Sequence, residues 1–582
     1  MTSPYHVDES RPWFSKEAGW PDEVPKNHEF EKVTLGQMLD QTAVDHGSKN
    51  AIWFLDTYMT FTELKENVDR FATALTDLGL RHGDVVALVL PNSFQYVIGY
   101  YACARLGLIV TGINPTYKPG EVKHQLNLTG AKAVVVLDAL YETMLAPILK
   151  ETSVQHLVVT NIIDLAKMSF LKRTLGKMLG KIPSAPMPPG ALSFKEMMDT
   201  APALPSVTVE PDDIATYIMT GGTTGVPKAA VLSHFNCAAN ATQSRLWLWK
   251  TQPGSAALGV LPLFHSFAMT CVMNICVCFG GTMILFPRPP ENKPLIDTLM
   301  KVSPPEGTLY PAAEILFKRL AEWPEIKNYD LDGKLVLCVS GAGPLHRPVQ
   351  EAFEKATGAR LVEGYGLSET SPVVSAGPFW GNRKIGTIGL PFPGTDWKIV
   401  DSDDPARELP IGERGEITVA GPQVMVGYLH NEDETKETIV EDEDGRRWLL
   451  TGDIGSMDEH GRITIHDRKK QLIKFRGYSV YPTEIETNMM AHEAISEAAV
   501  AGLPDPEAGE IVKAWVVLRD GFAGKVTPAQ LIEWARENYT HYKVPRAVEF
   551  VPELPKTPVG KVLRRVLQEA DPIYKQYNRK SG

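Results

Sequence analysis

Residues 216–234 read Thr-Tyr-Ile-Met-Thr-Gly-Gly-Thr-Thr-Gly-Val-Pro-Lys-Ala-Ala-Val-Leu-Ser-His. A mostly apolar run from Ile214 to Met219 stops at Thr220, and Gly221, Gly222, Thr223, Thr224 and Gly225 follow. Glycine reaches backbone angles that other residues resist and lets a ligand approach the chain closely. Threonine adds hydroxyls suited to a phosphate or a metal, and Lys228 adds a positive charge. A strand that ends in such a loop has what is needed to wrap a polyphosphate. It is not a Walker loop, because Val226 and Pro227 separate Gly225 from Lys228, and Ala229 follows where Ser or Thr would stand.

At 582 residues the chain exceeds one ordinary core, so two or more domains are expected. Hydrophobic residues make up 43% and charged ones 22%, which fits a soluble globular protein. The net charge of −11 argues against general nucleic-acid binding. Cys103, Cys237, Cys271, Cys276, Cys278 and Cys338 form no CxxC pair and no metal spacing. They read as free, mostly buried thiols in a reducing compartment, which points to the cytoplasm. The polar N-terminus, with Pro4, Asp8, Glu9 and Arg11, lacks the apolar run of a signal peptide. Residues 256–286 carry no Asp, Glu, Lys or Arg and are long enough to suggest a membrane span. Pro262, Asn274 and Gly280–Gly281 interrupt them, so a buried strand–helix–strand is expected instead.

Asp84 to Leu90 reads as a buried strand, followed by Pro91-Asn92-Ser93 and an apolar helix to Leu106. Residues 133–137 and 157–159 repeat the strand type, and further strands are expected at 214–219, 256–261, 282–286 and 334–339. Apolar runs alternating with helical patterns imply parallel sheets flanked by helices, an α/β fold. Over 164–182 a helical wheel gathers Leu165, Met168, Leu171, Leu175, Met178, Leu179 and Ile182 on one face, with Lys167, Arg173, Lys177 and Lys181 mostly opposite. This is the pattern of an interfacial helix, or of a helix packed on its own domain with solvated lysines. After residue 400 the sequence turns polar, Gly-rich and alternating, as at 416–420, which suggests smaller β elements. Short strands at 461–475 and 511–518, with helices at 483–492 and 527–538, then suggest a smaller α+β domain.

Further strings carry chemistry. Leu261-Pro-Leu-Phe-His-Ser-Phe267 ends a strand with a lone histidine, His265. Ser340-Gly-Ala-Gly-Pro-Leu345 puts Gly341, Ala342 and Gly343 at a strand's C-terminal end, where open α/β sheets bind ligands. In Glu363-Gly-Tyr-Gly-Leu-Ser-Glu-Thr370, between Gly364 and Gly366, Tyr365 offers a flat face to a purine. Ser368 offers a hydroxyl to phosphate, and Glu369 offers a hard oxygen to Mg²⁺. Asp453 can accept both hydroxyls of a ribose, and Arg468 can add donors to the same sugar. Lys556-Thr-Pro-Val-Gly-Lys-Val-Leu-Arg564 places Lys561 beside Gly560.

The string TGGTTGVPK closely resembles the phosphate-binding signature of the adenylate-forming superfamily, and the other motifs follow in that superfamily's order over about residues 50–565. The residues 448–477 resemble the fatty-acyl-CoA synthetase signature, with Leu450 where His is common. The resemblance implies a medium- to long-chain fatty-acyl-CoA synthetase of the AMP-forming type, using ATP, Mg²⁺ and coenzyme A. An aryl- or short-chain acid ligase and a non-catalytic acyl-binding protein are the alternatives. It also implies a large N-terminal domain of parallel-rich sheets flanked by helices with a β-rich subdomain over 1–468. A small mobile α+β domain over 471–582 would follow, with a hinge at 469–470. The roles implied are Lys561 for adenylation, His265 at the acyl pocket, and 341–343 as a wall of the adenine pocket. Thr220 and Glu369 would serve the metal, Lys470 the hinge, and Lys474 and Gly477 the face that admits the pantetheine of CoA. A fatty acid is the expected substrate, with no nucleic acid partner. A homodimer, and peripheral contact of 164–182 with the inner face of the membrane, are kept as candidate associations.

Overall fold

The computed structural model describes residues 4–180, 182–203, 207–220, 227–476, 478–556 and 562–581. Gly221, Gly222, Thr223, Thr224, Gly225, Gly477, Lys561 and Lys181 lie outside the described residues. The chain folds as two compact units, one of Met1–Asp396 with Val419–Leu449, the other of Trp397–Thr418 with Leu450–Gly582.

The larger unit holds two sheets. One orders its strands Gly427–Tyr428, Lys228–Ser233, Ile214–Thr220, Ile109–Gly112, Val85–Val89, Ala133–Leu137, His156–Thr160 and Leu192–Ser193. From Ile214–Thr220 onward its neighbours run parallel, and Val85–Val89 is buried at every residue. A strand covered on both faces has no solvent side, so its sequence is a continuous apolar run rather than an alternation. The other sheet orders Leu390–Pro391, Val373–Ala376, Arg360–Gly366, Leu335–Ser340, Thr308–Ala312, Ala256–Gly259, Thr282–Leu285, Asn50–Phe54 and Thr57–Thr60.

Local sequence explains where the helices start and stop. Ser93 Oγ accepts from Tyr96 N at 3.3 Å and opens the helix Phe94–Leu106, and Gly107, at φ 65°, closes it. Ser233 and Asn236 form a capping box at the start of His234–Trp247. Asn236 then donates to the carbonyls of Pro422 at 2.8 Å and Val424 at 3.0 Å. Asn240 of the same helix donates to Val373 O at 2.7 Å and accepts from Val373 N at 3.0 Å. The uncharged stretch 256–286 folds as strand, helix and strand, with a wide π turn, Met269–Asn274, inside the helical part.

The segment 164–182 departs from a single long helix. Among the described residues of this segment, only Phe170–Met178 is helical. Asp164 instead accepts from Asn161 N at 2.7 Å and from Thr160 Oγ1 at 2.9 Å, which folds 161–164 as a turn. Leu175, Met178 and Leu179 remain 51%, 79% and 59% exposed, so these apolar side chains are not packed on the domain. Among the described residues no helix is long and apolar enough to cross a membrane.

In the smaller unit the strands Ile473–Phe475, Tyr478–Val480, Ile495–Asp505, Gly509–Leu518 and Ala547–Phe550 form one sheet. The helices Pro482–Met489 and Pro528–Asn538 accompany it; Ile485, Met489 and Leu531 lie in its core. The expected strand 461–475 is broken, because Lys469–Gln471 forms a 3₁₀ turn between Ile463–Arg468 and Ile473–Phe475.

Candidate active site

Strands Ile214–Thr220 and Lys228–Ser233 form an antiparallel hairpin in which Thr220 faces Lys228. The hairpin's outer edge is covered by Gly427–Tyr428, with Tyr428 opposite Ala230. This pairing brings a distant segment to the base of the Gly/Thr loop. Lys228 Nζ forms an ion pair with Glu434 and lies 5.4 Å from the centroid of the Tyr428 ring. Tyr428 Oη donates to Glu369 Oε1 at 2.8 Å, and Glu369 O accepts from Met425 N at 2.8 Å. Burial, and then the nearby Glu369 carboxylate, raise the Tyr428 pKa, so the phenol stays protonated and donates. The strand ending at Thr220 packs beside the turn Ser368–Thr370. One polar chain thus joins Lys228, Tyr428 and Glu369. Neither Tyr428 nor Glu434 carried a sequence signal of its own.

Beside this chain lies a cavity that opens to solvent. Gly341, Ala342, Gly364, Tyr365, Gly366 and Ser368 line it, as do His265, Phe267, Cys271 and Ile275. The strings 261–267, 340–345 and 363–370 therefore converge on this cavity, whereas Thr220, Lys228, Glu369, Asp453 and Arg468 do not line it. Ala342 sits at φ 67°, a left-handed angle costly for a residue with a side chain. Gly366 admits no substitute, since a Cβ there would lie 1.9 Å from Pro372 O. His265 caps the following helix, its Nδ1 accepting from Phe267 N at 3.3 Å, which leaves the proton on Nε2. Burial lowers the His265 pKa, so the ring is neutral at pH 7. Ser266 Oγ lies 3.3 Å from Ser368 Oγ and links the histidine string to the Ser368–Glu369 turn. Phe267, Cys271 and Ile275 follow at intervals of four residues and run as an apolar stripe away from His265. Burial pushes the Cys271 thiol up to about 12, which keeps it an inert apolar group.

Glu363, at the start of the same motif, is a second group that residue order did not single out. It accepts from Leu345 N at 3.3 Å, and desolvation pushes its pKa up to about 8. Nearby, His346 Nδ1 lies 2.9 Å and 3.0 Å from the two Glu314 carboxylate oxygens.

In the smaller unit Asp453 and Arg468 face each other across antiparallel strands, with Asp453 Oδ1 2.5 Å from Arg468 Nε. The register places the two residues read as a ribose pair side by side. Glu416, buried, accepts from Gly452 N at 2.9 Å and pairs with Lys469 Nζ at 2.8 Å. It thereby ties the turn before Asp453 to the residue before Lys470. Lys470 and Lys474 are exposed, and Lys474 N donates to Glu510 Oε2 at 2.7 Å. Lys556 and Val562 form an antiparallel bridge on either side of the 557–561 stretch. Arg564 binds Gln471, Thr483 and Glu486, the last through Nε at 2.7 Å.

A doubly wound α/β unit that carries a Gly/Thr hairpin loop and an apolar cavity at its strand ends, with a separate small α+β unit, is the architecture of a nucleotide-dependent ligase. Residues 39–429 match the family of AMP-binding enzymes, and residues 484–561 match the AMP-binding enzyme C-terminal domain. The chain belongs to the AMP-binding enzyme family. It is 38% identical to the long-chain-fatty-acid–CoA ligase of Bacillus subtilis (strain 168), over 97% of this chain and 99% of that one. Its fold matches ATP-bound MatB from Rhodopseudomonas palustris, with a TM-score of 0.80 and 28% identity over 94% of this chain and 100% of that one. It also matches a long-chain-fatty-acid-CoA ligase (FadD1) from Archaeoglobus fulgidus, with a TM-score of 0.64 and 28% identity over 90% and 98%.

Glu363 has a signature in stability. Between an unfolded pKa near 4.5 and a folded pKa of about 8, the folded chain keeps a proton that the unfolded chain has released. Folded-state proton excess means that stability falls as pH rises through this window. Glu363→Gln removes that loss. Melting curves of parent and variant from pH 5 to pH 8 are expected to diverge, with the parent losing ground as pH rises; parallel curves would show that Glu363 titrates normally.

Proposed function

We propose that the chain ligates a medium- to long-chain fatty acid to coenzyme A at the expense of ATP, through an acyl-adenylate, releasing AMP and pyrophosphate. The observation that carries this reading is the apolar cavity that ends at the Ser368–Glu369 turn, beside Lys228. The fatty-acid substrate is supported by the long-chain ligase relative, which matches over nearly the full chain.

In the first step a carboxylate oxygen attacks the α-phosphorus of ATP, and the bond to the pyrophosphate oxygen breaks. Little covalent work falls to the protein, so positioning and charge stabilisation dominate. Lys228 and the 220–225 loop hold the phosphates, Tyr365 stacks on the adenine against the 341–343 wall, and Ser368 donates to a phosphate oxygen. Asp453 accepts the ribose hydroxyls while Arg468 orients its carboxylate. Lys561 neutralises the growing negative charge. Among the described residues no three His, Cys, Asp or Glu side chains gather into a metal cage. The single carboxylate Glu369, held by Tyr428, nevertheless suits Mg²⁺, which is commonly bound through one or two carboxylates plus substrate phosphates. Glu369 and Thr220 would hold the ion, which supplies charge neutralisation at the phosphates. In the second step the CoA sulfur attacks the acyl carbon, its proton is released, and AMP leaves. The expected mobile domain, residues 471–582, would turn about Lys470 between the steps, withdrawing Lys561 and presenting Lys474 and Gly477.

The decisive assay measures products from ATP and a panel of carboxylic acids. AMP and pyrophosphate are expected only with a fatty acid and Mg²⁺. Release of ADP removes the adenylation reading, and a preference for benzoate or acetate moves the substrate to the aryl or short-chain class.

The two half-reactions separate the lysines. Lys561→Ala is expected to slow acyl-adenylate formation by about 10²–10³ while sparing thioester formation from synthetic acyl-adenylate. Lys470→Pro, by fixing φ at the pivot, is expected to slow only the second step. Equal loss of both steps in Lys561→Ala, read in single turnovers, would overturn the division of labour.

Leu175, Met178 and Leu179, exposed on a segment without acids from 165 to 182, suit contact with an anionic lipid surface, where a fatty acid partitions. The combined variant Arg173→Glu, Lys177→Glu, Lys181→Glu is expected to lose co-sedimentation with anionic vesicles; retention equal to the parent's would exclude this surface.

A further inference from the structure

The acyl cavity has two ends, and the strand Val373–Ala376 tells them apart. Gly366 pairs with Val373 and Gly364 with Ala376, so the strand runs from the Ser368 turn toward Gly377. At about 3.3 Å per residue, Gly377 lies roughly 16 Å along the chain from Pro372. The indole of Trp247 donates to Gly377 O at 3.3 Å, which places this fully buried ring at the end remote from Ser368. Trp247 lines the cavity and stacks on Phe392, another lining residue, with centroids 5.3 Å apart and planes at 30°.

A second support of Trp247 comes from a part of the chain that does not line the cavity. Trp20 meets the Trp247 ring edge-on, with centroids 5.4 Å apart at 72°. Trp20 is itself held, its Nε1 donating to Val24 O at 2.9 Å and its ring meeting Phe14 at 4.6 Å. Gly19 lies so close to the 376–382 stretch that a Cβ on it would stand 2.5 Å from Asn382 O, and its φ of 92° disfavours any side chain. Arg11 anchors the same segment through Asp396 at 3.2 Å. These residues precede position 39, where the family match begins.

We propose that Trp247, braced by Trp20 of the N-terminal segment, is the end wall of the acyl cavity and sets the longest acyl chain the enzyme accepts. The proposal rests on the fatty-acyl reading of the cavity. Interiors are close-packed, and a ring packed against two other aromatic rings yields little to a lengthening tail. Chain methylenes are bound until they reach the indole, after which each further one must displace it. Removing the brace lets the indole tilt; shrinking the indole opens space directly.

The test compares full-length Trp247→Phe, Trp20→Leu and parent on saturated acids from octanoate to behenate. The readout is the ratio of kcat/KM for acids beyond the parent's optimum to that at the optimum, which a uniform loss of folded enzyme does not move. Each newly seated methylene is worth about fourfold in this ratio. The ratio is expected to rise at least that much in both variants, and Trp20→Phe, which keeps an aromatic brace, is expected to restore the parent profile. An unchanged ratio in Trp247→Phe overturns the end wall, and an unchanged ratio in folded Trp20→Leu overturns the brace. Should Trp20→Leu not fold, Gly19→Ala, which pushes the segment away from Asn382, takes its place with the same criteria. If the parent itself releases no AMP with any fatty acid, the ligase reading fails rather than the wall.

Discussion

The larger unit depends on a hydrogen-bonding obligation at the hairpin of Ile214–Thr220 and Lys228–Ser233. Backbone donors and acceptors on a strand edge must be satisfied, and here the far edge of Lys228–Ser233 is satisfied by Gly427–Tyr428. That pairing carries Tyr428 to the side of Lys228 and to the carboxylate of Glu369. A cation, a phenol and a carboxylate are thus gathered beside the Thr220–Lys228 pair by main-chain register rather than by their own attraction. Register, once set, leaves the side chains few other places to go.

The same economy governs the cavity wall. The helix His234–Trp247 uses amide side chains to hold strands and loops from far along the chain, Asn236 on 422–424 and Asn240 on Val373. A buried amide that lost its partner would leave groups unsatisfied at a cost of about 1–3 kcal/mol each, so these contacts define a single arrangement. The helix then delivers Trp247 to the cavity. Polar groups gather around His265, Ser266 and Ser368, and Trp247 and Phe392 stand toward Gly377. A molecule with a charged head and an apolar tail matches that gradient.

Much of the fold was legible because its signals are local. Continuous apolar runs marked Val85–Val89, Ala133–Leu137 and Leu335–Ser340 as buried parallel strands, and the uncharged 256–286 stretch was separable from a membrane span by its own Pro and Gly. Where local competition intervened, the reading slipped. Asp164 preferred a turn over the first part of the amphipathic segment, and Lys469–Gln471 interrupted the 461–475 stretch expected as strand. A side chain that can satisfy the backbone locally removes that backbone from helix or sheet.

The sequence by itself determined the α/β class and singled out Lys228, His265, Tyr365, Ser368 and Glu369 as candidate site residues, because each rests on residue chemistry at short spacing. Only the tertiary structure decided that Trp397–Thr418 groups with Leu450–Gly582. It alone paired Tyr428 with Glu369 and Glu434 with Lys228, and made Glu363 a high-pKa carboxyl. It alone placed Trp20 behind Trp247. Each of these depends on partners tens to hundreds of residues apart or on the exclusion of water, and neither distance nor dielectric is written in the order of the residues.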